Sequence, residues 1–236
     1  RTTSDTEVII AAFQAWGERC VERLEGMFAF VIVDQATRTV CAARDRMGQK
    51  PLYLATVSAD KEPLDIFEPT AHRPIAAAAF ASEISPLLAI PWVERKLREA
   101  SLTPYLLWGY VPSPYTFYEG VYSLPAGHAM TIALQQARVW RYFDPNQQQQ
   151  RFIPGETDVQ ATRGLVISAV KRQLVADVPV GCFLSGGMDS SIIAAAMRQV
   201  CGANQEILTF SVGFDDPRFD ETEYAQAVAR HLKTRH

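Results

Sequence analysis

The spacing of apolar residues predicts two helices at the start of the chain. Ser4 and Glu7 stand three residues apart, as in a capping box, and apolar residues recur at helical intervals from Val8 to Trp16. Gly17 interrupts this pattern, and residues 20–26 predict a second, shorter helix. The chain therefore opens with two consecutive helices.

The apolar period then changes to one typical of strands. Residues 27–33 form a continuous apolar run, which favours a strand covered on both faces, and residues 38–43 predict its hairpin partner. Residues 51–56 and 76–81 are further strand candidates, and the polar residues 57–74 between them predict a surface loop.

Two more helices and a second hairpin complete the first half of the chain. Residues 82–88 and 94–107 predict helices, and residues 121–134 predict a hairpin whose turn is 125–127. The first ~140 residues are therefore expected to be mixed and strand-rich.

After a polar segment with four consecutive glutamines, helices and strands alternate. This alternation is typical of a parallel sheet covered by helices. The predicted elements are a helix from Thr157 and Gln160 to Leu174, a strand at 179–184, a helix at 190–200, a strand at 206–212 and a helix at 221–232. The predicted fold class is α/β: an α+β part with antiparallel sheets (residues 1–144), a linker (145–156), and a parallel-sheet part (157–236).

Composition and charge exclude several functional classes. The 236 residues are 48% hydrophobic and 21% charged, and no apolar run reaches the ~20 residues of a membrane span. A net charge of -3 provides neither a basic surface for nucleic acid nor a polybasic membrane patch. We therefore expect small-molecule substrates, no nucleic acid and no membrane partner; a homodimer stays open.

The cysteines are expected to be free thiols. Cys20, Cys41, Cys182 and Cys201 are widely spaced and form no CxxC pair. Each has apolar or helical surroundings, which favours a reducing, cytoplasmic setting. The histidines share no metal-ligand spacing with cysteines or carboxylates, so no protein-only metal site is predicted.

The strongest chemical signal is a glycine-rich loop between a predicted strand and a predicted helix. Its residues are Leu184, Ser185, Gly186, Gly187, Met188, Asp189, Ser190 and Ser191. Adjacent glycines let backbone N–H groups approach a ligand, and the following helix presents unpaired N–H groups and the positive end of its dipole. Such a loop suits phosphate oxygens. The lysine of a Walker A loop is absent, and because a carboxylate repels phosphate, Asp189 implies Mg²⁺.

This loop resembles the pyrophosphate-binding loop of the N-type ATP pyrophosphatases. Residues 176–184 and 210–214, followed by 220–221, are similar to the asparagine synthetase branch in particular. The resemblance implies ATP and Mg²⁺ as cofactors and binding of pyrophosphate by Ser185, Gly186, Gly187, Asp189, Ser190 and Ser191. It also implies an adenine site at Phe183 or Leu184, then Val212 and Gly213.

The first half resembles the class II glutamine amidotransferase domain of the same enzymes. The matching segments are residues 4–9, 25–30, 43–53, 80–84, 109–112 and 124–128. The resemblance implies that Asp5 binds the α-amino group of glutamine, although a carboxylate at a helix start is also favoured by the helix dipole alone. Arg44, Asp45 and Arg46 are interpreted as structural.

The resemblance also implies what lies outside these residues. The chain opens with Arg1, so we expect a cut in a longer chain whose N-terminal cysteine nucleophile lies upstream. No catalytic residue is assigned here, and this piece alone is expected to be inactive. The intact protein would take ammonia from glutamine and ATP to convert aspartate into asparagine through an acyl-adenylate, releasing AMP and pyrophosphate.

Two alternatives stay open at this point. A relative with the same two domains would act on another carboxylate, as in β-lactam-forming or surface-polysaccharide enzymes. A non-catalytic nucleotide-binding module is the second, against which the intact loop at 185–191 argues.

Overall fold

A computed structural model of the chain describes residues 4–68, 74–147 and 158–236. The chain divides into two compact units, residues 1–149 and residues 150–236. Each unit has its own sheets and its own apolar core. The predicted helix cap at Thr157 and most of the predicted linker lie outside the described residues.

The first unit contains seven strands, three α-helices and three short 3₁₀ helices within its described residues. The α-helices are α1 (Asp5–Trp16), α2 (Ile84–Leu88) and α3 (Leu102–Trp108), and the 3₁₀ helices are Gly17–Glu22, Glu99–Ser101 and Pro145–Gln147. The strands are β1 (Ala29–Asp34), β2 (Thr39–Arg44), β3 (Tyr53–Val57), β4 (Ala77–Ala81), β5 (Val121–Ser123), β6 (His128–Ala133) and β7 (Gln136–Arg141).

Helix α1 begins where the sequence predicts. The Ser4 hydroxyl accepts a hydrogen bond from the Thr6 N–H at 3.2 Å, which satisfies one of the unpaired donors of the first turn. Ala12 is its one buried residue, and Trp16 packs beneath the guanidinium of Arg23 at 4.6 Å. The predicted second helix is instead a 3₁₀ turn that begins at Gly17 and ends at Glu22.

Strands β1, β2, β6 and β7 form a four-stranded antiparallel sheet in that order. The hairpin of β1 and β2 is confirmed, with Ala29 opposite Arg44 and Asp34 opposite Thr39. The expectation that β1 is covered on both faces is wrong, because none of its residues is buried and Val33 is 63% exposed. A run of apolar residues shows that a strand is hydrophobic, but it does not determine which parts of the fold pack on its two faces.

The predicted hairpin at residues 121–134 is also wrong. Strand β5 pairs with β3 in a second sheet of order β4-β3-β5, whereas β6 pairs with β2 and β7 in the first. The segment 125–127 therefore crosses between two sheets. The actual hairpin partner of β6 is β7, which the sequence analysis missed, and their two-residue turn has positive φ at Leu134 and Gln135.

The predicted helix at 94–107 is shorter in the structure. It begins with the 3₁₀ turn Glu99–Ser101 and continues as α3. Its first residues are extended instead, because the Leu97 backbone forms a β-bridge to Tyr118 and the Arg98 N–H donates to the Phe117 carbonyl at 2.9 Å. Backbone pairing with a distant segment has replaced local helix formation there.

The second unit alternates helices with parallel strands, as predicted. Its elements are α4 (Asp158–Gln173), β8 (Gly181–Phe183), α5 (Met188–Cys201), β9 (Leu208–Phe210) and α6 (Thr222–Leu232). Strands β8 and β9 pair in parallel, and a bridge from Leu208 to Arg235 adds a third parallel segment beside β9. The core consists of two clusters, one with Val170, Met197 and Ile207 and one with Leu184, Ala194 and Ala225, and α5 contributes to both.

In the described part of the chain, no helix is both long and apolar enough to cross a membrane. The free state of the four cysteines is confirmed: all lie among described residues and none forms a disulfide. Burial raises the pKa of the Cys41 thiol to about 12, and burial also raises the pKa of Cys20 and of Cys182. A thiol with a raised pKa has less of the nucleophilic thiolate at neutral pH.

Candidate functional site

The glycine-rich loop connects β8 to α5, as the sequence predicts. The strand ends at Phe183, and the helix begins at Met188 with Gly187 as its N-cap. The first hydrogen bond within the helix runs from the Ser191 N–H to the Gly187 carbonyl at 3.1 Å. The N–H groups of residues 188–190 precede that bond, so they have no acceptor within the helix and are presented at its positive end.

Three serine hydroxyls give the loop a defined shape. The hydroxyls of Ser185 and Ser190 lie 3.0 Å apart, and the Ser190 hydroxyl accepts from the Ser185 N–H at 3.2 Å. The Gly187 N–H donates to the Ser185 hydroxyl at 3.2 Å, and the Ser191 hydroxyl donates to the Gly187 carbonyl at 2.7 Å. The serines therefore hold the turn before any ligand arrives, which lowers the entropic cost of binding one.

Gly186 permits the turn for two separate reasons. Its φ is +83°, a conformation that residues with a Cβ rarely adopt. A Cβ added there would lie 2.4 Å from the Cβ of Tyr224 and 2.7 Å from the backbone nitrogen of Ala225. The first turn of α6 thus packs directly against the loop, a contact that the sequence analysis missed.

Asp189 stands in the first turn of α5 and is exposed. In the described part of the chain, no group of three or more His, Cys, Asp or Glu side chains could hold a metal ion. A single carboxylate beside a phosphate-binding loop nevertheless fits Mg²⁺, because this ion is commonly held by one or two carboxylates together with substrate phosphates. When bound with a nucleotide, the ion would neutralise phosphate charge beside Asp189.

The residues predicted for adenine binding lie at the carboxyl ends of the two strands. Phe183 is directly opposite Phe210, and the Leu184 N–H donates to the Phe210 carbonyl at 2.8 Å. Phe183 and Val212 are exposed, whereas the Leu184 side chain is buried and presents only its backbone. The structure therefore brings the two predicted segments to one edge of the sheet, beside the loop, where ligands of parallel sheets bind.

Gly213 lies close to the start of α6. A Cβ on Gly213 would be 3.4 Å from the Thr222 side chain and 3.8 Å from a carboxylate oxygen of Asp220. Asp220 itself accepts from the Thr222 N–H at 3.2 Å and from its hydroxyl at 2.9 Å. Gly213 therefore lies near the start of α6, the helix that contacts Gly186, and Asp220 stabilises that helix start.

Two polar residues beside the loop were missed by the sequence analysis. The Ser211 hydroxyl donates to the Leu184 carbonyl, and the Nε2 atom of His236 lies 3.2 Å from the same hydroxyl. Ser211 follows β9 by one residue, so strand order could have suggested it. His236 comes close only through the third parallel segment, which no local pattern indicates.

Asp5 belongs to the first unit. It is exposed at the first residue of α1 and lines an open pocket of about 650 Å³ together with Phe28, Phe30, Lys50 and Ser82. The pocket contains both a carboxylate and an amine, the complementary partners of an amino acid's charged groups. The position of Asp5 at the start of α1 is equally explained by the favourable interaction of a carboxylate with the helix dipole.

Arg44, Asp45 and Arg46 make structural contacts, as predicted. Asp45 is 1% exposed, and its carboxylate accepts from the N–H groups of Met47, Gln49 and Lys50 at 3.1, 2.9 and 2.9 Å. The Arg44 guanidinium donates to the carbonyls of Lys50, Gly48 and Leu124, each at 2.8 Å. The Asp45 carboxylate and the Arg44 guanidinium are thus occupied by the backbone. Arg46 donates from Nη2 to the Glu22 carbonyl at 3.1 Å, while its buried Nε has no hydrogen-bond partner in the described part of the chain.

Two family models match this chain. A glutamine amidotransferase domain matches residues 1–143, and an asparagine synthase domain matches residues 161–236. The two matches correspond in order to the two compact units of the structure.

Curated relatives match nearly the whole chain. The asparagine synthetases (glutamine-hydrolyzing) 3 and 1 of Bacillus subtilis are 34% and 31% identical, over 82% and 98% of this chain. The amidase chyE of Penicillium rubens is 32% identical over 98% of it. The chain covers 29%, 33% and 34% of these three relatives, about a third of the length of each.

Proposed function

This chain belongs to the asparagine synthetase family, and we propose that it forms part of a glutamine-dependent asparagine synthetase. In this proposal ATP and Mg²⁺ activate the side-chain carboxylate of aspartate as an adenylate, with release of pyrophosphate. Ammonia from glutamine displaces AMP and gives asparagine and glutamate. The family shown by the two domain matches supports this reaction class.

The observation that carries the proposal is the open loop at the start of α5. Ser185, Gly186, Gly187 and Ser190 form a turn with its hydroxyls bonded to one another, and the N–H groups of residues 188–190 precede the first intrahelical bond. Pyrophosphate is the leaving group in adenylation, so a loop that binds it stabilises the charge that develops there.

The nucleotide base is assigned to the strand ends beside this loop. Exposed Phe183 and Val212 offer apolar surface, and the backbone of Gly213 offers hydrogen-bonding groups. The Leu184 N–H is already bonded to Phe210 and its carbonyl to Ser211, so Leu184 offers only the second lone pair of that carbonyl. Adenine requires both apolar surface and hydrogen-bonding groups, since its flat faces are apolar and its edge carries donors and acceptors. Asp5 is proposed for the α-amino group of glutamine, supported by its place in the pocket that Lys50 also lines.

A relative named as an amidase favours a second candidate. The similarity to the amidase chyE over 98% of this chain is compatible with the same two domains acting on another carboxylate. The phosphate-binding loop would serve either acceptor, because adenylation requires the same leaving group whichever carboxylate is activated.

The test uses the complete gene product with glutamine, aspartate and ATP–Mg²⁺. We expect equal amounts of asparagine and pyrophosphate, and strongly reduced formation of both in Asp189→Asn. Asp177→Asn is the matched control, because Asp177 is also exposed but precedes β8, whereas the loop follows that strand. Pyrophosphate release with another carboxylate would support the second candidate, and no ATP turnover with any carboxylate would contradict both.

A further inference from the structure

A chain of hydrogen bonds leads from the third parallel segment to the start of the phosphate-binding loop. The hydroxyls of Thr234 and Thr209 lie 2.9 Å apart, and Thr209 lies 3.0 Å from the Nδ1 atom of His236. The Nε2 atom of His236 lies 3.2 Å from the Ser211 hydroxyl, which donates to the Leu184 carbonyl. Four side chains therefore form one hydrogen-bonded chain, and its last member, Ser211, bonds to the Leu184 carbonyl oxygen.

The direction of these bonds follows from the last one. A carbonyl only accepts, so the Ser211 hydroxyl spends its single proton on Leu184 and can only accept from His236. Nε2 must then carry a proton. In the neutral ring Nδ1 accepts from Thr209, so every donor in the chain has an acceptor.

The carbonyl at the end of this chain belongs to a critical peptide group. Leu184 C=O and Ser185 N–H are parts of the same planar peptide, and the N–H donates to the Ser190 hydroxyl at 3.2 Å. Ser211 thus holds one side of the peptide plane and Ser190 holds the other. The orientation of this plane decides where the backbone at Ser185 and Gly186 points as it enters the loop.

The position of His236 is set by the sheet. The Arg235 N–H donates to the Ile207 carbonyl at 2.8 Å, and the Thr209 N–H donates to the Arg235 carbonyl at 2.9 Å. Thr209 is 1% exposed, so the hydroxyl beside Nδ1 is fixed in the interior. Backbone pairing of Arg235 with β9 and Ile207 therefore places His236 next to Ser211.

We propose that His236, acting through Ser211, is a positioning residue that orients the Leu184–Ser185 peptide for pyrophosphate binding. This inference rests on the proposed function of the loop. Neither side chain needs to touch the ligand. Without His236 the Ser211 hydroxyl can rotate away from Leu184, and the peptide plane is then held only at its N–H.

The structure allows the two ring nitrogens to be tested separately. Glutamine places an amide nitrogen near the position of Nε2, whereas asparagine reaches only that of Nδ1. We expect His236→Asn to weaken binding of pyrophosphate–Mg²⁺ about fivefold, the effect of losing one ordinary hydrogen bond, and His236→Gln to retain it. Isothermal titration calorimetry on the 236-residue chain measures both, with exposed His231→Asn on α6 as the control.

An NMR readout separates failure of this inference from failure of the proposed function. The HNCO cross-peak that joins the Leu184 carbonyl carbon to the Ser185 amide reports the bond from Ser211 without any ligand. It should shift in His236→Asn and in Ser211→Ala, and stay in place in His236→Gln and His231→Asn. Melting temperatures should not follow this pattern.

Each outcome has one meaning. An unchanged cross-peak in His236→Asn would overturn the positioning role, whether or not the wild-type chain binds pyrophosphate. A shifted cross-peak with unchanged pyrophosphate affinity would show that the peptide plane does not control binding, and would overturn it as well. Absence of pyrophosphate binding by the wild-type chain, with the cross-peak behaving as expected, would count against the proposed function and leave the orienting contact established.

Discussion

Two segments that follow a strand in this protein each carry an aspartate, and they use it in opposite ways. Asp45 follows β2, is 1% exposed, and accepts three backbone N–H groups from its own turn. Asp189 follows β8 by several residues and is exposed at the start of α5. The Asp45 carboxylate stabilises its own turn, whereas the Asp189 carboxylate remains available to a ligand.

The same contrast extends to the groups around each aspartate. At Asp45, the neighbouring Arg44 is bound by backbone carbonyls at Lys50, Gly48 and Leu124. In the loop, the N–H groups of residues 188–190 precede the first bond of α5. The number of charges alone would favour the Arg-Asp-Arg sequence as a binding site. The number of polar groups still without a hydrogen-bond partner favours the loop instead.

The largest expected effect comes from removing the buried carboxylate. Asp45→Ala leaves three backbone N–H groups without a charged acceptor and should lower the free energy of unfolding of the first unit by about 4 kcal/mol. All four tryptophans (Trp16, Trp92, Trp108 and Trp140) belong to this unit, so tryptophan fluorescence during urea unfolding follows it alone. Asp189→Ala should leave that transition unchanged, and a comparable loss in both variants would remove the contrast.

A smaller difference, between two glycine substitutions, separates backbone strain from collision in the second unit. Gly186 and Gly202 both have positive φ, at +83° and +76°, but a Cβ would collide with Tyr224 only at Gly186. We expect Gly202→Ala to cost about 2 kcal/mol from backbone strain and Gly186→Ala about 4 kcal/mol from strain and collision together, measured by urea unfolding followed by circular dichroism. Equal costs would mean that α6 does not pack against the loop as described.

The smallest expected effect is a pH dependence at Glu18. Burial alone would raise the pKa of Glu18, but hydrogen bonds from Arg138 and Thr131 lower it by more. The pKa of Glu18 in the folded protein therefore lies below its usual 4.5. The stability that follows is present above the unfolded pKa and is lost as the pH falls through the folded pKa. Glu18→Gln should destabilise the first unit by less than about 1 kcal/mol at pH 7, and by progressively less as the pH falls through the lowered folded pKa. A pH-independent difference would contradict this.

The sequence could predict the loop because the residues that form it are consecutive, although its contacts with α6 and Ser211 are not. Strand, glycines, serines and helix start follow one another within residues 181–191. Strand partners were harder. Residues 125–127 contain a proline and a glycine and read as a hairpin turn, yet the Gly127 N–H donates to the Asp45 carbonyl at 2.9 Å and the chain passes between sheets.

Non-local pairing also explains the missed elements. Strand β7 has mixed polarity, and the turn before it uses Leu134 and Gln135 where glycine or asparagine would be expected. The contact of His236 with Ser211 depends on the register of the segment beside β9. Neither pattern has a local signature that single-sequence reasoning detects.

The most direct test of the central claim is binding of pyrophosphate to the 236-residue chain, measured by calorimetry with and without Mg²⁺. The open loop should bind pyrophosphate in the presence of Mg²⁺, in competition with ATP, and Asp189→Asn should weaken that binding about tenfold. In EDTA, which removes Mg²⁺, Asp189→Asn should bind pyrophosphate more tightly than the wild-type chain, because the Asp189 carboxylate then only repels phosphate. No binding by the wild-type chain, or equal binding by both proteins in both conditions, would contradict the assignment of this loop.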